Sequence, residues 1–220
     1  MGNGHRVFVT GGTGYLGSKL IPVLQQHGYE VTALCREQSI RKLPDGCAAV
    51  QGNALDGESY KVSARGATTF IQLVGVSHPS PAKAREFVEI DLRSGLEAIR
   101  VARETGIRHF VYVSVAHPAP VMKAYTAVRA ECEQTIRESG LKATIVRPWY
   151  VLGPGHRWAY GLLPFYQVAE WVPHFRDGAR RLGLVTLQEM ISTLATAVAQ
   201  PPCGIRVIEV PEIRQLGRHA

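Results

Sequence analysis

A chain of 220 residues can bury one substantial core, and its 45% hydrophobic and 20% charged residues suit a globular protein. No apolar run approaches the roughly 20 residues that cross a bilayer, and no charged-then-apolar leader precedes the first strand, so no membrane span and a cytoplasmic location are expected. The net charge of +7 is scattered rather than gathered into a basic run with interleaved aromatics, which argues against a nucleic-acid partner. Arg176, Arg180, Arg181, Arg214 and Arg218 read as solvated surface. The four cysteines, Cys35, Cys47, Cys132 and Cys203, form no C-x-x-C pair and read as reduced, partly buried thiols, with no metal site.

The first element is an apolar strand, Val7 to Val9, which runs into Thr10-Gly11-Gly12-Thr13-Gly14-Tyr15-Leu16-Gly17. A helical pattern follows through Leu16, Leu20, Ile21 and Leu24. Strand, glycine turn and helix start in immediate succession make an anion site. The first turn of a helix has unpartnered N–H groups and the positive end of the dipole, and glycines let the backbone approach a phosphate. Gly12-x-Gly14-x-x-Gly17 in this context is the dinucleotide fingerprint.

Alternation continues beyond it. Glu30–Cys35 is a second, largely apolar strand, Cys47–Gln51 a short third and Thr69–Val74 a fourth. A helix runs from about Ala82 to Glu104, with Phe87, Ile90, Leu96, Ile99 and Val101 on its apolar side and Gly106 as its stop. Arg108–Ser114 is the fifth strand, Met122 to Glu138 another helix, and Ala143–Pro148 the sixth strand. From Trp149 the texture changes. Gly153-Pro154-Gly155 is a loop, and Trp158, Tyr160, Phe165, Tyr166 and Trp171 mark a lid or substrate-side insertion over about 149–185. Thr186-Leu187-Gln188-Glu189 is a capping-box pattern opening a last helix to about Ala199, and Ile205–Val210 is a final strand. The expectation is an α/β fold. One Rossmann-type, doubly wound parallel sheet spans residues 1–220, with helices on both faces and a small C-terminal substrate-side segment.

In such sheets the ligand crosses the carboxyl ends of the strands. Gly11, Thr13, Gly14, Tyr15, Leu16 and Gly17 would hold the phosphates. Arg36, just past the second strand, suits a 2′-phosphate by charge and forked geometry and points to NADP, with NAD possible because the same arginine can stack on adenine. Asn53 and Ala54 would bound the adenine, and Leu73-Val74-Gly75 would let the backbone approach the adenosine ribose or phosphates.

Thr10–Gly17, Asn53-Ala54-Leu55-Asp56, Phe110–Ser114 and Ile145–Pro148 together resemble the short-chain dehydrogenase/reductase superfamily. The likeness is closer to its extended and atypical branches: epimerase/dehydratases, NAD(P)H-binding proteins and the reductase-like subunit of respiratory complex I. The resemblance implies a Y-x-x-x-K pair with a serine or threonine. Tyr125-Thr126-Ala127-Val128-Arg129 matches the pair, with arginine for lysine. The tyrosine would exchange a proton with the substrate oxygen, or equally be a structural aromatic holding the nicotinamide ribose, and Arg129 would donate to a ribose hydroxyl without copying a lysine proton relay. Matching the fifth strand puts Val115 at the family's hydroxyl position, so Ser114 would touch the nicotinamide side. His117 reads either as an acid/base or substrate hydrogen-bond donor, or as a plain loop histidine. Pro148, Trp149, Tyr150 and Val151 fall where the family contacts the nicotinamide carboxamide.

The resemblance implies an oxidoreductase, and the short appendage, with little room for a nucleotide sugar, points to a small apolar carbonyl, a quinone-like ligand or no substrate. The alternatives are a cofactor-binding sensor or assembly factor without chemistry, as in NmrA-like regulators, and an epimerase/dehydratase. The family often dimerises through helices corresponding to Phe87–Glu104 and Met122–Glu138; monomer and homodimer both stay open.

Overall fold

The computed structural model describes residues 5–119, 121–154 and 181–218. Seven strands form one parallel sheet. In chain order the elements are β1 (Arg6–Thr10), α1 (Gly17–Gln26), β2 (Glu30–Cys35), β3 (Ala48–Gln51), the single turn α2 (Lys61–Ala64), and β4 (Thr69–Gln72). Next comes a long helical run: a turn α3 (Ala84–Glu86), a π-helical turn Phe87–Leu92, and α4 (Arg93–Glu104). Then follow β5 (His109–Val113), α5 (Lys123–Glu138), β6 (Ala143–Arg147), β7 (Tyr150–Leu152), β8 (Leu184–Thr186), α6 (Leu187–Ala199), β9 (Ile205–Glu209) and α7 (Val210–Arg218). The sheet order is β3-β2-β1-β4-β5-β6-β9. The direction of winding reverses between β1 and β4, so their carboxyl ends open the crevice where ligands bind in such sheets.

Alternation along the strands builds two core layers. Val7 and Val9 of β1 join Leu20, Ile21 and Leu24 of α1 and Met190, Ile191 and Leu194 of α6 on one face. Phe8, Phe70 and Phe110 of adjacent strands join Tyr60, Ala98, Ile99 and Ile136 on the other. Phe8 and Phe70 lie 5.2 Å apart, Phe70 and Phe110 5.5 Å, a ladder of rings across the sheet. The strands therefore read as apolar runs rather than alternating ones, as parallel strands covered on both faces must.

Several elements differ from expectation. β3 starts at Ala48, and Val74 lies past the end of β4. Tyr150–Leu152, expected to open the substrate-side insertion, is a strand pairing in parallel with β8 in a separate two-stranded sheet. The final strand stops at Glu209, and Val210–Arg218 turns into α7, where Pro211 and Glu212 supply ordinary first-turn residues. Arg214, expected in solvent, donates from Nε to the Leu184 carbonyl at 3.0 Å and so pins α7 to β8. The capping box is formed: Thr186 Oγ1 accepts from the Glu189 amide at 3.1 Å, and Glu189 Oε2 accepts from the Thr186 amide at 2.6 Å. Trp158, Tyr160, Phe165, Tyr166, Trp171, Arg176 and Arg180 lie outside the described residues. Among the described residues no helix is long and apolar enough to cross a membrane.

Candidate cofactor cradle and active site

The turn between β1 and α1 is built for close backbone approach. Gly11 sits at φ +75°, and a Cβ there would stand 2.8 Å from the Leu73 carbonyl carbon. A Cβ on Gly17 would stand 2.4 Å from the Gly11 carbonyl oxygen. So α1 starts hard against the turn, and the turn lies hard against the chain leaving β4. Leu16 precedes the helix without a side-chain cap; the Ser18 amide donates to the Gly14 carbonyl at 3.0 Å and the Lys19 amide to the Leu16 carbonyl at 3.1 Å. The positive end of the α1 dipole and the side-chain-free turn before it suit a pyrophosphate by charge and by space. Tyr15 reaches across to the segment after β7, where a Cβ on Gly153 would meet its hydroxyl at 2.0 Å.

The other expected cofactor residues rim the same edge. Arg36 is exposed and extended immediately after β2. Asn53, after β3, folds its Oδ1 onto the Leu55 amide at 3.0 Å, which presents Ala54 on a tight turn. Leu73, Val74 and Gly75 leave β4 beside Gly11. Pro148 is buried and its carbonyl accepts from the Ala116 amide at 2.9 Å, tying the exits of β5 and β6. Trp149 packs partly buried on the α1/α6 core layer, while Tyr150 and Val151 belong to β7.

Tyr125 and Arg129 stand one turn apart at the start of α5, the end nearest the carboxyl edge of β5. The tyrosine ring is half-buried, 4.9 Å from the Phe87 ring and 5.2 Å from the Arg129 guanidinium carbon. Among the described residues no hydrogen bond engages its hydroxyl. The Arg129 guanidinium is turned inward. Nη2 pairs with Asp91 Oδ1, and Nη1 donates to the Val113 carbonyl at 2.9 Å and the Tyr112 hydroxyl at 3.3 Å. Asp91 Oδ2 in turn accepts from the Val76 amide at 3.0 Å. The physical reason is Asp91 itself: the π turn at Phe87–Leu92 carries it into the apolar seam, where a carboxylate needs a cation. Burial pushes the Asp91 carboxyl up against the pull of Arg129. Burial works against the Arg129 charge, but the neighbouring Tyr125, Tyr112 and Asp91 keep it firmly protonated.

The Ser114 hydroxyl donates to Glu133 Oε1 at 2.6 Å. Glu133, on the buried face of α5, collects donors from several elements. Arg147 of β6 reaches it with Nε at 2.9 Å and with Nη2, Arg137 lies at 3.2 Å, and His117 Nε2 at 3.2 Å. Arg147 also donates to Glu209 of β9 at 2.8 Å. Burial raises the Glu133 carboxyl, but the hydrogen bonds from Arg147 and Ser114 outweigh it and hold it below the ordinary glutamate range. Val115 and Ala116 are buried and apolar.

Asp91, Glu133 and Arg147 were missed by sequence reasoning, although a signal existed. Phe87, Asp91 and Ala98 fall on one stripe, as do Arg129, Cys132, Glu133 and Ile136, so Asp91 and Glu133 sit at core positions of amphipathic helices, while Arg147 ends the apolar strand β6. A third buried polar chain ties the base of the cradle to the same seam. The Thr10 hydroxyl donates to Gln72 Oε1, and Gln72 Nε2 donates to Ser94 Oγ at 3.1 Å. Among the described residues no cluster of His, Cys, Asp and Glu is placed to hold a metal ion.

Together the doubly wound parallel sheet and the glycine cradle define a nucleotide-cofactor protein of the short-chain dehydrogenase/reductase type. Residues 11–158 match the NAD(P)H-binding family, well over half of the chain, and the chain belongs to it. It is 26% identical over 216 residues to a ceramide reductase of Caulobacter vibrioides, covering 96% of this chain and 66% of that protein. It is 27% identical over 170 residues to the 4-hydroxy-2-methyl-3-oxo-4-farnesyl-3,4-dihydroquinoline-1-oxide ketoreductase of Stigmatella aurantiaca, covering 67% of this chain and 51% of that protein. The chain thus spans between half and two thirds of these relatives. Among solved structures, the Bordetella bronchiseptica enzyme WbmH in complex with NAD+ matches at a TM-score of 0.69 and 19% identity, covering 96% of this chain and 79% of that one. That likeness is one of fold.

Proposed function

We propose that the chain is a reductase that uses NADPH in preference to NADH and reduces the carbonyl of an apolar or quinone-like small molecule. The observation that carries this reading is the Tyr125 ring, held between Phe87 and the Arg129 guanidinium with its hydroxyl unengaged by the described residues, at the sheet edge where the cradle opens. Bound NAD(P)H would supply a hydride to the carbonyl carbon. The carbonyl π pair then moves to oxygen, and the Tyr125 hydroxyl gives that oxygen its proton; solvent restores the phenol. The cation of Arg129 beside the ring steadies the negative charge developing on the phenol oxygen. Through Asp91, Arg129 also fixes Val76 and the chain leaving β4, against which the cofactor would lie. Ser114 acts at one remove, by holding Glu133. Arg36 would receive the 2′-phosphate. The names of the ceramide and farnesyl-quinoline reductases support an apolar carbonyl substrate.

The test is oxidation of NADPH and NADH against a panel of aldehydes, ketones and quinones. Turnover is expected with NADPH first, and Tyr125→Phe is expected to lower kcat by about a hundredfold while leaving cofactor binding intact. A Tyr125→Phe protein with full turnover would refute the assigned role. A second reading, a cofactor-binding sensor without chemistry, is favoured by one observation: the inward commitment of Arg129 to Asp91, which takes it away from any ribose. Tight dinucleotide binding with no oxidation across the whole panel would select it.

A further inference from the structure

We propose that Arg93, Glu97 and Arg100 of α4 are positioning residues for the adenosine half of the cofactor site. They act by clamping the turn after β3. The proposal rests on the cofactor-binding reading and is independent of any chemistry at Tyr125. The turn spans residues 52–59 and begins beside Arg36. The Gly52 amide donates to the carbonyl of Cys35, the residue before Arg36, at 3.1 Å. A Cβ on Gly52 would stand 2.9 Å from Leu34 Cδ1, so the turn leaves the sheet pressed against the end of β2. A doubly wound sheet takes the two halves of a dinucleotide on either side of its switch point, and β1, β2 and β3 form the side that carries the glycine turn and Arg36. An adenosine whose phosphates lay on the cradle and at Arg36 would therefore have residues 53–55 at its flank.

Three side chains at i, i+4 and i+7 on α4 grip this turn in sequence. Arg93 Nε donates to the Leu55 carbonyl at 3.1 Å, Glu97 Oε2 accepts from the Gly57 amide at 2.8 Å, and Arg100 Nη1 donates to Glu58 Oε1 at 2.7 Å. Two of the three grips take main-chain atoms, so they fix the path of the backbone itself. Gly57 is buried, and a Cβ there would stand 2.5 Å from Glu97 Oε2 and 2.7 Å from Val101 Cγ2. The backbone thus lies directly on the carboxylate, to which Arg100 Nη2 donates at 2.8 Å. Two residues before Arg93, Asp91 accepts from the Val76 amide after β4. One helical run therefore sets the separation between the turn after β3 and the chain leaving β4, which lies against Gly11. Part-exposed ion pairs such as Glu97 with Arg100 and Glu58 with Arg100 add little to folding stability. A turn released from them has to be ordered by the ligand, and Kd rises by the inverse of the fraction already in place.

Glu97→Ala removes the acceptor for the Gly57 amide. In calorimetric titrations it is expected to weaken ADP and NADP+ by the same factor, about tenfold, since both carry the adenosine diphosphate. Glu97→Gln keeps an oxygen able to accept from both Gly57 and Arg100, and is expected to stay within about threefold of wild type. Arg93→Met, at an exposed position, is expected to weaken both ligands by about threefold and decides the matter should Glu97→Ala fail to fold. Unchanged Kd values in these variants, a loss for NADP+ that ADP does not share, or a glutamine variant as weak as the alanine one overturns the proposal. A second arm uses the wild-type chain. On adding ADP to saturation, the amide NMR signals of Ala54, Leu55 and Gly57 are expected to shift; unmoved signals place the nucleoside elsewhere and overturn the proposal. A chain that binds ADP and NADP+ but reduces nothing on the panel sinks the reductase reading and leaves the clamp standing. A chain that binds neither ligand overturns both.

Discussion

Replacing Asp91 with alanine tests the buried pair on which the seam between the π turn and α5 depends. The Asp91 side chain is fully buried and that of Arg129 is 7% exposed. A unit charge about 4 Å from its partner at an effective dielectric near 20 interacts by about 4 kcal/mol. Removing one member of a buried pair costs about 3–5 kcal/mol, because the other charge stays behind uncompensated. The Val76 amide loses its acceptor as well, which adds about 1 kcal/mol or more if no water replaces it. A loss of about 4 kcal/mol is expected, a large part of the 5–15 kcal/mol typical of folded domains. At roughly 2–4 °C per kcal/mol for a chain of this size, the midpoint should fall by about 8–16 °C. Urea unfolding followed by far-ultraviolet circular dichroism measures it directly. A loss below about 1 kcal/mol would refute the reasoning, since it would mean that Arg129 finds another partner or water at no cost. The paired replacement Asp91→Leu with Arg129→Met is expected to recover more than half of the loss, because two well-packed apolar side chains carry no desolvation penalty.

Further predictions follow from other positions. His109 is buried in β5 with Nε2 2.9 Å from Thr144 Oγ1, and burial lowers its pKa from 6.5 to about 4. The unfolded chain takes up the proton first, so the stability from a neutral His109 is complete above about pH 6.5 and is lost as pH falls toward about 4. The loss should reach about 3 kcal/mol at a slope of up to about 1.4 kcal/mol per pH unit. His109→Gln should flatten that slope in urea titrations between pH 4.5 and 6.5; an unchanged slope would place the proton elsewhere. Thr186→Ala removes the acceptor for the Glu189 amide and should cost about 1 kcal/mol, read in the same unfolding assay. Arg36→Glu should weaken NADP+ binding by tenfold or more while leaving NAD+ within a few-fold, measured by calorimetric titration. Equal losses for both cofactors would remove Arg36 from the 2′-phosphate.

The parallel sheet and the cradle were legible because each rests on a local pattern. Val7 and Phe8 read as strand whatever packs on them, and a glycine turn before Leu20, Ile21 and Leu24 has one economical use. Tyr150–Leu152 and Leu184–Thr186 were not, since three-residue strands show no period and exist only because they pair with each other. Val210–Arg218 was hidden by the strand before it, whose apolar run continues into the first helical residue. At the site, Tyr125 and Arg129 could be found by spacing, but not the direction in which Arg129 points. That depends on Asp91, thirty-eight residues earlier, and on a π turn that no composition signals. The partner of Ser114 was hidden for the same reason: Glu133 looks like one more charge on an amphipathic helix until the fold sets Arg147 beside it.

These partners also say what α5 is for. Its buried face carries one positive and one negative side chain on successive turns, and each reaches two strand exits, that of β5 in common. Arg129, through Asp91, holds the backbone at Val76 after β4, and holds Val113 at the end of β5 directly. Glu133 holds Ser114 and His117 after β5 and Arg147 at the end of β6. Buried ion pairs of this kind add little net stability over apolar packing. They do fix direction, which leucine or methionine in their places would not. All the strand exits so held lie on the edge where the cradle opens, beside Tyr125. The Asp91→Leu, Arg129→Met chain should therefore separate the two properties, regaining much of its stability while staying poor in turnover. Recovery of both together would mean that the pair serves packing alone.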